Sequence, residues 1–393
     1  MEKKVKLILV FLALALFISF DSYADESWFT PTFGLKETFE DNIFLTRTNE
    51  ESDFITTVSP GIMITPKLGK HKLRMNLYSD LNFFNEYHSQ NTYNHTADTD
   101  LQLNFTNFQV NFDNRYRYFA DRSGAEDVNR VPRLQDHASL GTTFNFNKLD
   151  FTLRYLYQYE FYRTTDAIGS FLGEPLTYKD LNRQENAGEI ELAFKLWPKT
   201  ALLLSGDYGV LEHKTGKKSD SEYYDILIGA RGEPTAKSIV EAKIGYRSQD
   251  YEDNVDGFDS VVFYGSLVEN FTANDALRLD FVRTTTDTIF TDNAYYEITF
   301  IGLGYDHSFT ERLLAGINFS YQLDAYPIAT TNTDTGSVDE REDDVWKAGA
   351  RLSYELPVGV NLELKYEHTI RDSNFSAYDY KNNLVSLGAN IAF

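Results

Sequence analysis

The chain has no cysteine in 393 residues, which excludes disulfides, thiolate metal sites, a cysteine nucleophile and a lipidated N-terminal cysteine together. Positive charge is scarce: 37 Lys and Arg stand against 59 Asp and Glu, for a formal net charge of −22. Nucleic-acid binders need a basic face, so that class of partner is excluded. Beyond residue 20 no apolar run approaches the ~20 residues that a transmembrane helix needs. Helical periodicity is missing too. With no solenoid repeat and no linker, one domain is expected after the N-terminal segment.

That segment has its own signature. Lys3, Lys4 and Lys6 precede an apolar run from Leu7 to Phe20, and Ser22-Tyr23-Ala24 offers a small-x-small cleavage site. Residues 1–24 therefore read as a secretory signal peptide, leaving 25–393 as the exported barrel. What the chain does have is aromatics: 30 Phe, 26 Tyr and 3 Trp make up 15% of it. Mean hydropathy is nonetheless −0.40, so these rings sit in a polar sequence. A transmembrane barrel reconciles the two by turning rings to lipid and polar groups to an aqueous lumen.

From Trp28 onward, apolar and polar residues alternate. Leu73, Met75, Leu77, Leu81 and Phe83 interleave with Arg74, Asn76, Asp80 and Asn82. Phe151, Leu153, Tyr155, Tyr157, Tyr159 and Phe161 interleave with Thr152, Arg154, Gln158 and Glu160. Leu362, Leu364 and Tyr366 interleave with Asn361, Glu363, Lys365 and Glu367. Period two with charge on the alternate face means one face in apolar surroundings and one in water.

The connections alternate as well. Short turns fall at 67–70, 107, 147–148, 198–200, 233–236, 273–275, 310–312 and 357–359. Longer polar loops lie near 40–53, 85–95, 121–136, 164–184, 212–221, 251–257, 286–293, 326–343 and 371–378. Eight turns and nine loops imply 18 strands, an even number with both ends on the short-turn side. The expected fold is all-β: a transmembrane antiparallel up-and-down β-barrel of about 18 strands. A sandwich, propeller or β-helix would not require long strands with strictly alternating connections. The chain also closes with Leu387, Ala389, Ile391 and Phe393 on one face of a strand and Ser386, Gly388 and Asn390 on the other. Outer-membrane barrels of Gram-negative bacteria end in this way, and Phe393 reads as the signal for the barrel-assembly machinery.

A barrel of this width can hold an aqueous channel. Strand parity directs Arg74, Arg115, Arg117, Arg154, Lys195, Arg231, Lys243, Arg247, Arg278, Lys347, Arg351 and Lys365 to the lumen. The same parity directs Asp80, Asp98, Asp100, Asp113, Asp150, Glu160, Glu189, Glu191, Asp207, Asp225, Glu241, Asp280, Asp324, Glu355, Glu363 and Glu367 there. With 12 bases against 16 acids, many should pair across strands. Such charges solvate and stiffen a wet wall whatever passes; opposed ladders would instead set a transverse field in a constriction.

Catalysis finds little foothold. Acid–histidine neighbours occur, Asp136-His137 among them, but adjacent strand residues point to opposite faces and cannot work together. No nucleophile elbow, HExxH helix or phosphate loop occurs, so neither an enzyme nor a cofactor is expected. The external loops are acidic. Asp253-Asn254-Val255-Asp256-Gly257 is oxygen-rich as Ca²⁺ loops are, but lacks the downstream bidentate Glu and reads as a solvated loop. The expected partners are outer-membrane lipid and lipopolysaccharide.

Phe39-Glu-Asp-Asn-Ile-Phe44, followed by Ser52-Asp-Phe-Ile-Thr-Thr-Val-Ser-Pro-Gly-Ile62, resembles the N-terminal signature of the "putative β-barrel porin type 2" family. The resemblance is close over this hairpin and general elsewhere. It implies the outer membrane of a Gram-negative bacterium. Members often belong to exopolysaccharide biosynthesis and export loci, while others are porins with no assigned substrate. The resemblance thus implies a conduit for saccharide polymers or small polar solutes, with polysaccharide-export components as partners. The alternatives are a general diffusion porin and a non-conducting barrel blocked by loops 164–184 and 326–343. The residues also have a local reading: Asp41-Asn42 is turn chemistry, and Pro60-Gly61 should break strand two as a kink or bulge.

Overall fold

The computed structural model describes residues 28–122, 130–171, 174–252, 256–288, 293–332 and 335–393. The signal peptide expected at 1–24 lies outside the described residues, as does most of the Asp253–Gly257 fragment. The strands are β1 (Phe29–Glu40), β2 (Asp53–Ile64), β3 (Lys72–Phe84), β4 (Thr92–Asn104), β5 (Phe108–Arg122), β6 (Arg130–Asn145) and β7 (Leu149–Tyr162). A small hairpin, β8 (Ala167–Phe171) and β9 (Glu174–Thr177), interrupts the series. Then come β10 (Arg183–Trp197), β11 (Thr200–His213), β12 (Ser221–Gly232), β13 (Ser238–Tyr251), β14 (Phe258–Asn270) and β15 (Asp275–Asp287). β16 (Tyr295–Ser308), β17 (Leu313–Thr331), β18 (Val338–Glu355), β19 (Val360–Ser373) and β20 (Tyr380–Ala392) complete the chain.

Eighteen of these strands form one antiparallel sheet in which each pairs with its neighbour in sequence, β7 meeting β10 across the inserted hairpin. The sheet closes on itself: β20 pairs with β1 from Thr32 opposite Ala392 to Glu40 opposite Leu384. At this seam the Phe393 N–H donates to the Pro31 carbonyl at 3.0 Å. The short turns lie at one end, where glycine supplies left-handed backbone: Gly359 has φ 78° and donates to the Leu356 carbonyl at 2.9 Å. Among the described residues no helix is long and apolar enough to cross a membrane.

Closure gives every strand an inner and an outer face. Leu153, Ile190, Leu204, Ile228, Ile244 and Leu364 are exposed on the outside, as a lipid-facing surface requires. The alternate residues turn inward. Three expectations need correction. The loop expected at 326–343 is shorter: β17 and β18 run on as far as Thr331 and from Val338, because Tyr326 and Arg341 pair in register and are buried on the inner face. Of the 121–136 segment, residues 121–122 still belong to β5 and β6 starts at Arg130, while 123–129 lie outside the described residues. Pro60-Gly61 does not break β2, which continues from Asp53 to Ile64. Its ladder to β3 lacks pairs at Ser59 and Pro60 but resumes in the same register at Gly61.

The face assignment is testable by charge insertion. Leu153→Arg and Leu364→Arg place a cation in lipid at ~2–4 kcal/mol near the midplane and should lower the yield of folded barrel. Gln158→Arg and Asn361→Arg, of inward parity, should fold at wild-type yield on heat-modifiability gels. Equal tolerance of all four would contradict the register.

Candidate functional site: the barrel interior

Cross-strand register sorts the inward charges into rows. Arg154, Glu189, Asp207, Asp225 and Arg247 stand opposite one another across β7, β10, β11, β12 and β13. Like charges directly opposite repel, and the flanking arginines compensate. Arg154 pairs with Glu189, and Arg247 grips Asp225 through two bonds of 2.7 Å. Two residues along, toward the short-turn end, Glu191 takes Lys243 at 2.5 Å and Arg231 at 3.2 Å. Elsewhere Arg115 meets Asp98 at 2.6 Å, Lys195 meets Asp150 at 2.6 Å, and Arg278 meets Asp280 at 2.7 Å. Arg351 reaches Asp306 at 2.7 Å, and Lys365 reaches Glu367 at 2.9 Å. Asp80 accepts the Ser59 hydroxyl at 2.5 Å, Asp113 accepts that of Ser139 at 3.4 Å, and Arg117 lies 3.9 Å over the Phe119 ring. Glu160 is held by Arg133 at 3.0 Å and Arg183 at 3.4 Å, two cations that the sequence reading did not place in the lumen. Arg74 and Glu363 make no ion pair among the described residues.

The interior is not evenly filled. The connection from β7 to β10 folds inward, and Leu176 of β9 is fully buried against Leu227 and Val262, inward residues of β12 and β14. Phe258, Ala294 and Tyr295 complete that cluster; Val131, Tyr162, Tyr178 and Leu181 form a second beside it. Polar contacts tie the fold-in to other long connections. Lys217 donates to the Pro175 carbonyl at 3.0 Å, Arg183 meets Asp287 at 2.8 Å, and Lys218 bonds Thr288. Asp180 belongs to the same knot. Burial would raise it, but the Thr177 N–H and hydroxyl, the Thr215 hydroxyl and Lys217 hold it below the usual carboxylate range. A third assembly sits on the β17–β19 wall, where Arg341 bonds Asp343 at 2.6 Å between the rings of Tyr326 and Tyr378, and Arg371 shares the same carboxylate.

Open space remains on the other side. An outer recess of about 590 Å³ is lined by β1–β6 and β18–β20, including Lys36, Glu40, Arg130, Lys347 and Glu363. A recess of about 510 Å³ lies against β3–β7, and one of about 500 Å³ at the short-turn end of the seam. The last two share Arg74 and Asn76 and so adjoin. Lys36 is a lining residue that the sequence reading passed over, although the parity of Phe33 and Leu35 would have found it.

Compared with known proteins, residues 28–393 match the family described as "Putative beta-barrel porin 2". The chain belongs to this family. A search of curated protein sequences finds no match. Among solved structures it is similar to a BenF-like porin from Pseudomonas fluorescens Pf-5, with TM-score 0.50 and 11% identity over 94% of this chain and 100% of that one. It is also similar to OpdK from Pseudomonas aeruginosa, solved with vanillate, with TM-score 0.49 and 10% identity over 93% and 99% of the two chains. At these identities the likeness concerns the fold alone, that of an outer-membrane, porin-like barrel.

In this porin-family barrel the Phe39–Phe44 motif has a structural task. Asn42 is fully buried; its amide donates to the carbonyls of Thr46 at 2.8 Å and Lys381 at 2.9 Å, and its oxygen accepts the Thr46 N–H at 3.0 Å. The Asp41 carboxylate accepts the backbone and side-chain N–H groups of Asn383 at 2.7 and 2.6 Å. Ile43 fills a pocket made by Ile55 and Phe84, and its carbonyl accepts Arg122 at 2.9 Å and Arg130 at 3.0 Å. Asp53 caps the next connection by accepting the N–H groups of Glu86 and Tyr87. The Tyr87 hydroxyl donates to Glu51, and that bond pushes it up to about 12. The motif is thus a latch joining the outer ends of β1 and β20. Asn42→Ala strands several buried groups at ~1–3 kcal/mol each. It should lower the temperature at which the folded gel band is lost, whereas Thr48→Ala, at an exposed position of the same loop, should not.

Proposed function

We propose that this barrel is a passive pore for small polar solutes, with a path running off-axis along the wall of β1–β6 and β18–β20. The asymmetry of the interior carries the reading. The larger apolar cluster fills the side near β12–β14, while recesses with charged and polar linings lie against β1–β7 and β18–β20. Their volumes suit small solutes, and membership in a porin family points the same way, away from catalysis. A polysaccharide chain draws no such support, since the fold-in at Leu176 narrows the lumen that a polymer would have to thread. A non-conducting barrel is the second reading, favoured by that same inward hairpin.

Planar bilayers separate the two. Inserted protein should give stepwise conductance with a weak cation preference, because inward acids outnumber inward bases and the outer loops are acidic. Screening acts over ~8–10 Å at physiological ionic strength, so the preference should grow as salt is lowered. Replacing residues 167–177 by a short Gly-Ser linker should raise the conductance. A silent bilayer from protein that is demonstrably folded would favour the non-conducting barrel.

Phe393 we assign to assembly. Until β20 meets β1 the sheet has two open edges in lipid, so the final strand is the step that must be recognised. Deleting Phe393 should cut the assembled, heat-modifiable barrel severalfold while leaving synthesis and export unchanged. Normal assembly of the truncated chain would refute the assignment.

A further inference from the structure

Most charges around the outer recess are already matched. Glu40 takes Arg122 at 3.6 Å and Arg130 at 3.4 Å, and Glu367 takes Lys365 at 2.9 Å. Lys36 and Glu363 stand apart: among the described residues neither makes an ion pair or a side-chain hydrogen bond, and both line the recess. They share one cross-strand row. Glu363 of β19 is opposite Gly388 of β20, and Gly388 is opposite Lys36 of β1. The two backbones are therefore two strand spacings apart, roughly 9.5 Å. Between them Gly388 presents no side chain. The Lys36 stem runs alongside it, 3.7 Å from where a Cβ would stand.

We propose that this Lys36–Gly388–Glu363 row is a binding site for small zwitterions, free amino acids or short peptides, with carboxylate on Lys36 and ammonium on Glu363. A simple anion would satisfy Lys36 but meet Glu363; a simple cation would face the converse. A molecule carrying both charges completes both groups at once. An amino acid or dipeptide separates its ends by one to two residue lengths, roughly 3.5–7 Å, which fits within the span of the row once the side chains reach inward. The Gly388 notch lets its backbone lie against the wall. Hydroxyls of Thr38, Thr57 and Ser386 line the same recess. Lys347, likewise without an ion pair among the described residues, stands further out in register with Thr369 and draws the carboxylate end first.

The inference rests on the pore reading but is tested without conduction, by equilibrium dialysis of the folded barrel in detergent against labelled glycylglycine. N-Acetylglycine supplies the carboxylate alone and glycinamide the ammonium alone. Glycylglycine should bind one per barrel, with both single-charge probes weaker by about three- to fivefold, the loss of one solvent-exposed ion pair. Lys36→Met and Glu363→Gln should each weaken glycylglycine to the level of the single-charge probes. Gly388→Val should abolish binding by filling the notch; a Cβ there meets only ordinary contacts, so the folded band should persist on gels. No binding to wild type overturns the inference, and so does equal binding of N-acetylglycine with Glu363→Gln neutral. A conducting barrel that fails to bind strikes this inference alone; a silent barrel that binds strikes the pore reading and leaves this one standing.

Discussion

The backbone hydrogen bond governs this molecule. In hydrocarbon an unpaired N–H or C=O has no water to turn to and costs several kcal/mol, so a sheet can span a membrane only as a closed ring. Everything hangs on the pairing between β1 and β20, which joins the two ends of the described chain. At its outer end the ladder gives way to side chains, and there Asp41 and Asn42 continue the pairing by bonding Asn383 and Lys381. At its inner end the last bond is the Phe393 N–H to Pro31. The family motif and the terminal aromatic thus bracket one seam, though they stand at opposite ends of the sequence.

Closure imposes a second constraint. A ring of alternating residues turns half its side chains inward whether or not a function needs them, and charges there must be neutralised at fixed register. The row from Arg154 to Arg247 shows the solution: three carboxylates directly opposite one another, tolerated because an arginine closes each end. Where the interior is instead apolar, at Leu227 and Val262, the wall can be covered, and the connection between β7 and β10 supplies Leu176 to cover it. The polarity of the inner face therefore decides where the lumen stays open.

Strand number and strand order were legible because period-two alternation is a local signal, repeated along the whole chain. The motif at Phe39–Phe44 was legible as family resemblance but not as a latch, since its partners Asn383 and Lys381 are some 340 residues away. The ends of β17 and β18 were misread as loop because Thr331–Asp344 is acidic and polar; burial of Arg341 and Asp343 beneath Tyr326 and Tyr378 supplies what composition could not indicate. The inward hairpin was invisible in its own segment. Its trace lay elsewhere, in leucine and valine standing at positions 227 and 262 where parity calls for polar residues. Apolar residues on the wet face of a barrel mark the place where something else must sit.

The same reasoning explains which interior charges pair and which stay single. Asp225 and Asp343 are almost wholly buried, and a buried carboxylate without a partner costs several kcal/mol, so each is gripped by arginine through two bonds. Lys36 and Lys347 are exposed within the recess, where an ion pair is worth only ~0–1 kcal/mol and barely offsets the ordering of two long side chains. Folding therefore exerts little pressure to match them. At these positions pairing follows dehydration, whereas the fully buried Asp324 is held, among the described residues, only by the Gln322 amide at 2.8 Å. It is on the seam side, at Lys36 and Lys347, that a charged solute would find groups still free to receive it.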